Sequence, residues 1–141
     1  MSLLFVVLLL ASCASAPRFV TDSAHAPVNY VLELKLREGF DREFLTAMRS
    51  MVTATAKESG TLVYEWYLDG DGRTCHIHEM FADTAAYKQH SDTFGKRFAK
   101  QFLSCVEIQG VTVYGRPDAD AREMLEGLGP VYYRGIGGFR R

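Results

Sequence analysis

With three cysteines, four prolines and a formal net charge of -1 in 141 residues, the chain lacks several common functional signposts. Lys and Arg are scattered, and no basic run exceeds Arg140-Arg141, so no electrostatic footprint for nucleic acid is present. The apolar run from Leu3 to Leu10 falls far short of the roughly 18 residues that a membrane-spanning helix needs. No Gly-rich turn stands between a strand and a helix to cradle a phosphate. Nicotinamide, flavin and nucleoside triphosphate motifs of the known kinds are therefore unsupported. The cysteines show no Cys-x-x-Cys spacing for zinc or redox chemistry. Cys75 and Cys105 are each expected to open a strand beside the same central strand, about 9 to 10 Å apart and beyond disulfide reach.

What the chain does have is core material. It is 48% hydrophobic and 12% aromatic, enough for one globular domain at this length. Most of its seven Tyr and nine Phe and its single Trp belong in that core, and some are free to line a pocket for a flat apolar ligand.

Leu3 to Leu10 reads as the apolar region of an export signal. Leu10-Ala11-Ser12-Cys13 then resembles a bacterial lipobox, which implies lipidation of Cys13, an exported or membrane-anchored protein, and residues 14–27 as a tether. Met1-Ser2 supplies no positive charge ahead of the run, so the alternative is a cytoplasmic domain behind a misassigned start. On either reading residues 1–27 are expected to lie outside the fold.

Between about Val28 and Arg116 the periodicity alternates in a recognisable order. Tyr30, Leu32, Leu34 and Leu36 alternate with Val31, Glu33, Lys35 and Arg37, a strand with one buried face. Phe40, Phe44, Met48, Met51, Val52 and Thr55 recur at helical spacing, stopped near Ser59-Gly60. Leu62 to Leu68 alternates again, Asp69-Gly70-Asp71-Gly72 is a turn, and Thr74 to Phe81 returns as the second arm of a hairpin. Asp83 can cap a second helix with Ala86, His90, Phe94, Phe98 and Phe102 along one stripe. In the last strand Val106 and Ile108 share one phase and Val111 and Val113 the other, which predicts a β-bulge or kink at Gly110.

Strand, helix, hairpin, helix, strand is an α+β, ferredoxin-like βαββαβ arrangement: a four-stranded antiparallel sheet with two helices on one face. Val31, Val63, Tyr67, Val111 and Val113 place apolar groups on the uncovered face. Burial against a second copy is the economical solution, so a homodimer is expected. Residues 117–141 form an extension with a short helical pattern (Ala121, Leu125, Leu128) and an apolar Val131-Tyr132-Tyr133. It is free to pack on its own subunit, on a partner, or over a pocket.

Three residue groups bear on chemistry. His76 and His78 point to one sheet face, but Glu79 points to the other, so a third metal ligand is wanting and imidazoles on the open face are the preferred reading. His90 lies on the apolar stripe of the second helix. It is either a satisfied core histidine or, with an ordinary pKa near 6.5, the best general base or acid in the chain. Tyr64 and Trp66 share one face of their strand and can form a wall with His90 and Phe94, either as packing or as a substrate pocket.

Gly60-Thr61-Leu62-Val63-Tyr64-Glu65-Trp66, the Asp-Gly hairpin, and Glu79-x-Phe81-x-Asp83-x-x-Ala86-x-x-x-His90 with Phe94 together resemble the antibiotic biosynthesis monooxygenase family of dimeric α/β barrels. The closing Val113-Tyr114-Gly115 and the tail Gly138-Phe139-Arg140 resemble a bacterial subgroup of it with a C-terminal extension. The resemblance implies oxidation or oxygenation of a hydroquinone, polyphenol or similar aromatic by dioxygen, without metal or flavin. His90 would then handle the phenolic proton, with Trp66, Tyr64 and Phe94 as cavity walls.

Haem-degrading relatives share this fold but place an Asn in the first strand and a haem-ligating His late on the second helix. Glu33 and Phe98 stand at those places here, which disfavours haem. Isomerases of phosphorylated carbohydrates are also similar, but no cluster of Arg or Lys is seen to seat a phosphate. The rival from another class is a non-catalytic dimeric module that binds a small hydrophobic molecule. A closed apolar cavity at His90 would favour the enzyme, and a fully packed His90 the module.

Overall fold

A computed structural model describes residues 18–19 and 27–140. The signal-like run and Cys13 lie outside the described residues. In chain order the elements are β1 (Arg18–Phe19), β2 (Val28–Leu36), α1 (Asp41–Thr55), β3 (Thr61–Leu68), β4 (Thr74–Phe81), α2 (Thr84–Arg97), α3 (Ala99–Cys105), β5 (Val106–Tyr114), α4 (Ala119–Glu126), β6 (Val131–Tyr133) and β7 (Phe139–Arg140). No helix among the described residues is long and apolar enough to cross a membrane.

The α+β ferredoxin-like frame is as expected, with one addition. The sheet has five strands in the order β3-β4-β2-β5-β6, because the extension contributes β6 parallel to β5 through Thr112–Val131, Val113–Tyr132 and Tyr114–Tyr133. All other neighbours are antiparallel. The extension therefore packs on its own subunit. Ala121 and Leu125 of α4 are fully buried, and the Asp118 carboxylate both caps α4 through the Ala121 N–H and accepts from Thr84 at the start of α2 at 2.6 Å. Arg18 and Phe19, expected in a free tether, pair instead with Arg140 and Phe139. The backbone of both segments has unused ladder groups, and pairing satisfies them.

Alternation in β2 buries Val28, Tyr30, Leu32, Leu34 and Leu36 on one face. The hairpin turn forms as predicted: Gly72 takes φ +71°, and the Asp69 carboxylate accepts from the Arg73 and Thr74 N–H groups. Asp83 caps α2 by accepting from the Ala86 N–H at 2.8 Å. The bulge in β5 falls next to Gly110. Glu33 pairs with Gly110 but Leu34 with Ile108, leaving Gln109 without a Cα partner. The extra residue resets the phase, so that Val106, Ile108, Val111 and Val113 all stand opposite the inward row of β2.

That phase reset corrects one argument for a buried second face: Val111 and Val113 are buried on the helix side, not the open side. Two other expectations shift. The stripe of α1 that is buried is Phe44, Ala47, Met51 and Thr55, with Phe40 and Val52 turned outward. The second helix breaks at Phe98, whose φ of -124° leaves the helical range, and Cys105 ends α3 rather than opening a strand. Cys75 and Cys105 are both buried free thiols.

Candidate active site

The core between sheet and helices is a continuous aromatic assembly. Trp66 meets Phe44 of α1 and Phe102 of α3 edge-on, with ring centroids 6.0 and 5.8 Å apart, and Tyr64 at 5.6 Å. Tyr64 and Phe81 flank His90 at 5.4 and 5.0 Å. Tyr87 and Tyr30 extend the assembly beyond Phe81. Phe94 meets Phe102 edge-on at 5.9 Å. The four residues predicted for a site are thus brought to one side of the sheet.

His90 is buried, and both its ring nitrogens face carboxylates. Nδ1 lies 2.9 Å from Glu58 Oε2 and Nε2 lies 3.3 Å from Glu79 Oε2. Glu58 is fixed by Thr61, whose N–H donates to the Glu58 carbonyl and whose hydroxyl donates to Oε2 at 3.0 Å. Glu79 accepts from the Tyr30 hydroxyl at 2.8 Å. A relay of hydrogen-bonding groups therefore runs Tyr30, Glu79, His90, Glu58, Thr61. Burial pushes the Glu79 carboxyl up from its ordinary value, and His90 and the Tyr30 hydrogen bond pull it back only in part. Burial and the Glu79 charge likewise raise the Tyr30 and Tyr64 phenols well above the ordinary tyrosine range.

Two spaces meet at Thr55, Glu58 and Tyr64. The outer is a cleft of about 210 Å³ lined by Val52, Thr55, Ala56, Glu58, Thr61, Leu62, Val63 and Tyr64. The inner is a narrow gap bounded by Met51, Thr55, Glu58, Tyr64, His90, Thr93, Phe94 and Phe98, too tight to admit water. Three buried polar atoms near them have no hydrogen-bond partner: Glu58 Oε1, the Tyr64 hydroxyl and Trp66 Nε1. Unpaired buried polar atoms are rare because each forgoes its hydration without recompense. Trp66 itself lines neither space and acts from behind Tyr64.

The relay carboxylates and Tyr30 were not among the predicted site residues. Glu79 left a signal, a charged residue on the inward phase of Cys75, Ile77 and Phe81. Glu58 left none, since it lies in the turn after α1, where periodicity says nothing. His76 and His78 stand on the open face as expected, His76 3.8 Å from Glu33, and His78 2.9 Å from Asn29 Oδ1 and 3.9 Å from Glu65. Among the described residues no group of three His, Cys, Asp or Glu side chains is placed to hold a metal ion.

Residues 27–106 match the antibiotic biosynthesis monooxygenase family. The structure is similar to that of MupZ from Pseudomonas fluorescens, with a TM-score of 0.71 and 19% identity over 82% of this chain and 94% of that one. It is also similar to SnoaB, a cofactor-independent oxygenase from Streptomyces nogalater, with a TM-score of 0.55 and 13% identity over 66% of this chain and 95% of that one. A conserved protein from Methanosarcina mazei Go1 gives a TM-score of 0.57 and 22% identity over 67% of this chain and 95% of that one. No curated protein gives a significant match.

Proposed function

The chain belongs to the antibiotic biosynthesis monooxygenase family, and from that premise we propose that it oxidises or oxygenates a hydroquinone, polyphenol or similar electron-rich aromatic with dioxygen, without a cofactor. The observation that carries this reading is the buried imidazole between two carboxylates, set among aromatic rings beside three partnerless polar atoms. A phenolic substrate supplies what the site lacks: a hydroxyl to donate and an oxygen to accept. The residues bounding the two spaces include no Lys or Arg, which favours a neutral ligand over a phosphate or carboxylate.

The chemistry asks little of the protein. Removing a proton from a hydroquinone makes it electron-rich enough to reduce dioxygen. The protein then supplies a base, an orienting wall and exclusion of water. His90 is the imidazole of the basic centre, held between Glu58 and Glu79, with Tyr64 and Phe94 as aromatic walls and Trp66 packed behind Tyr64. Entry runs through the outer cleft, and the inner gap opens by movement of side chains such as Met51, Phe94 and Phe98.

The protein works in this proposal as a homodimer through the open face of the sheet, where Val31, Val63 and Met80 stand half-buried and Tyr67, Tyr114 and Tyr133 exposed. A lipid on Cys13 would hold it at a membrane surface, where quinols are to hand. One observation favours a second reading, a non-catalytic binding module: the gap at His90 admits no water.

Oxygen uptake by the purified protein with 1,4-naphthohydroquinone, catechol and 1-naphthol, beside His90→Ala, separates the two readings. Uptake above autoxidation that falls in the variant supports the oxidase. No uptake above autoxidation with any of the three probes sinks it in favour of the module.

A further inference from the structure

Resting on the oxidase reading, we propose that Glu58, rather than His90, is the residue that receives the proton of the substrate hydroxyl, and that His90 is the positioning residue behind it. Both nitrogens of His90 are already engaged, Nδ1 with Glu58 at 2.9 Å and Nε2 with Glu79 at 3.3 Å. His90 borders only the inner gap, whereas Glu58 borders the gap and the open cleft alike. Glu58 Oε2 is occupied by His90 and by the Thr61 hydroxyl, but Oε1 is buried with no partner at all. A buried carboxylate oxygen without a partner calls for a donor, and of His90 and Glu58 it is Glu58 that borders the cleft through which a substrate hydroxyl would arrive.

The same arrangement selects the substrate. Tyr64 borders both spaces, and its hydroxyl, though it lies toward the Thr55 and Trp66 side chains, completes a hydrogen bond with neither, nor does the Trp66 N–H complete one. The Tyr64 hydroxyl is the donor for a second oxygen, with Trp66, which borders neither space, packed behind it. The ligand that completes the set is a flat ring carrying at least two oxygens, one donating to Glu58 and one accepting from Tyr64. Tyr30 and Glu79 close the far end of the relay and hold the imidazole against Glu58.

The reaction then balances without other reagents than dioxygen. The hydroquinone O–H bond breaks and its proton passes to Glu58 Oε1. The hydroquinone anion gives two electrons to dioxygen in single steps. The second hydroxyl proton and the proton on Glu58 pass to the reduced oxygen, yielding quinone, hydrogen peroxide and the regenerated carboxylate.

The test uses the full chain, wild type and as Glu58→Gln, Glu58→Asp and His90→Gln, each shown by thermal melting to be folded. Its probes are 1,4-naphthohydroquinone for oxygen uptake and 1,4-naphthoquinone for binding. Trp66 is the sole tryptophan and serves as a fluorescent reporter of occupancy. Glu58→Gln is expected to lower kcat by about 100-fold or more, while naphthoquinone affinity stays within about threefold, and Glu58→Asp to recover part of the rate. Glu58→Gln with kcat within about threefold of wild type, or a larger loss in His90→Gln, overturns the assignment. If the wild type consumes no oxygen, the oxidase reading falls, and Glu58 is judged by anaerobic naphthohydroquinone binding. Affinity about tenfold weaker in Glu58→Gln upholds the contact, and equal affinity or no quenching removes it.

Discussion

Glu58 and His90 are joined across 32 residues of chain by a 2.9 Å contact, and the segments that carry them come together at a glycine two residues further on. Gly60 packs its α-carbon against Ala86, four residues before His90 on α2, so closely that a β-carbon at position 60 would collide with the Ala86 β-carbon. The Gly60 carbonyl also accepts from the Ala82 N–H at 2.9 Å. The turn that carries Glu58 and the helix that carries His90 thus touch where neither has a side chain to spare.

Gly60→Ala is therefore expected to cost stability and to part the relay. Neither colliding group is a flexible side-chain end, so backbone must move, at a cost of about 1–3 kcal/mol typical of overpacking. Denaturant melts check this against Gly70→Ala, where an added β-carbon meets nothing, expected within about 0.5 kcal/mol of wild type. If both variants melt alike, the Gly60–Ala86 contact does not set the fold here.

Glu79 gives a pH signature whose sign follows from its burial. Its folded-state pKa lies above the unfolded value near 4.5, so the folded state holds the proton more tightly. The stability due to that proton is complete below about pH 4.5 and is lost as pH rises through the folded pKa. Glu79→Gln keeps a neutral side chain at every pH. Relative to this variant, the wild type is expected to lose stability progressively as pH is raised from 4.5. Exposed carboxylates such as Asp118, whose pKa is lowered, act in the opposite sense in both proteins and cancel in the difference. Thermal melts of both proteins across pH 4 to 8 measure it, and a pH-independent difference would refute the burial argument.

How much of this was legible in the sequence varies with the range of the cause. Alternation in Tyr30 to Leu36 and the Asp69 to Gly72 turn depend on neighbours in the chain and formed as read, whereas in Leu62 to Leu68 a register shift at Leu62 interrupts the alternation, and Leu62 and Leu68 stand exposed. The bulge beside Gly110 was legible as a slip in phase, but its effect was not: only pairing with β2 shows that the slip returns Val111 and Val113 to the covered face. The place of the extension on the free edge of β5 depends on contacts between α4 and α2, which no local pattern encodes. For the site, the apolar stripe disclosed His90, whereas Glu58 joins it only through the closeness of Gly60 to Ala86.

The open face gives the last prediction. Some of its polar groups have partners within one subunit: the Tyr67 hydroxyl donates to Glu65 at 2.6 Å, His78 bonds Asn29 at 2.9 Å, and Glu33 lies 3.8 Å from His76. Partners already in hand lower the desolvation cost of covering these groups, and Val31, Val63, Met80, Tyr114 and Tyr133 remain as the apolar surface to bury. Val31 is central, paired on one side with His78 and on the other with Thr112. Val31→Asp would find His78 as a neighbour in the monomer, so the fold should survive. In a face-to-face pair, however, it would bury a carboxylate from each subunit near the shared axis, a strongly unfavourable exchange. Sedimentation velocity should show wild type as a dimer and Val31→Asp as a monomer with unchanged circular dichroism. A monomeric wild type would leave the open face without the second copy proposed for it, and a dimeric Val31→Asp would move the contact elsewhere on the molecule.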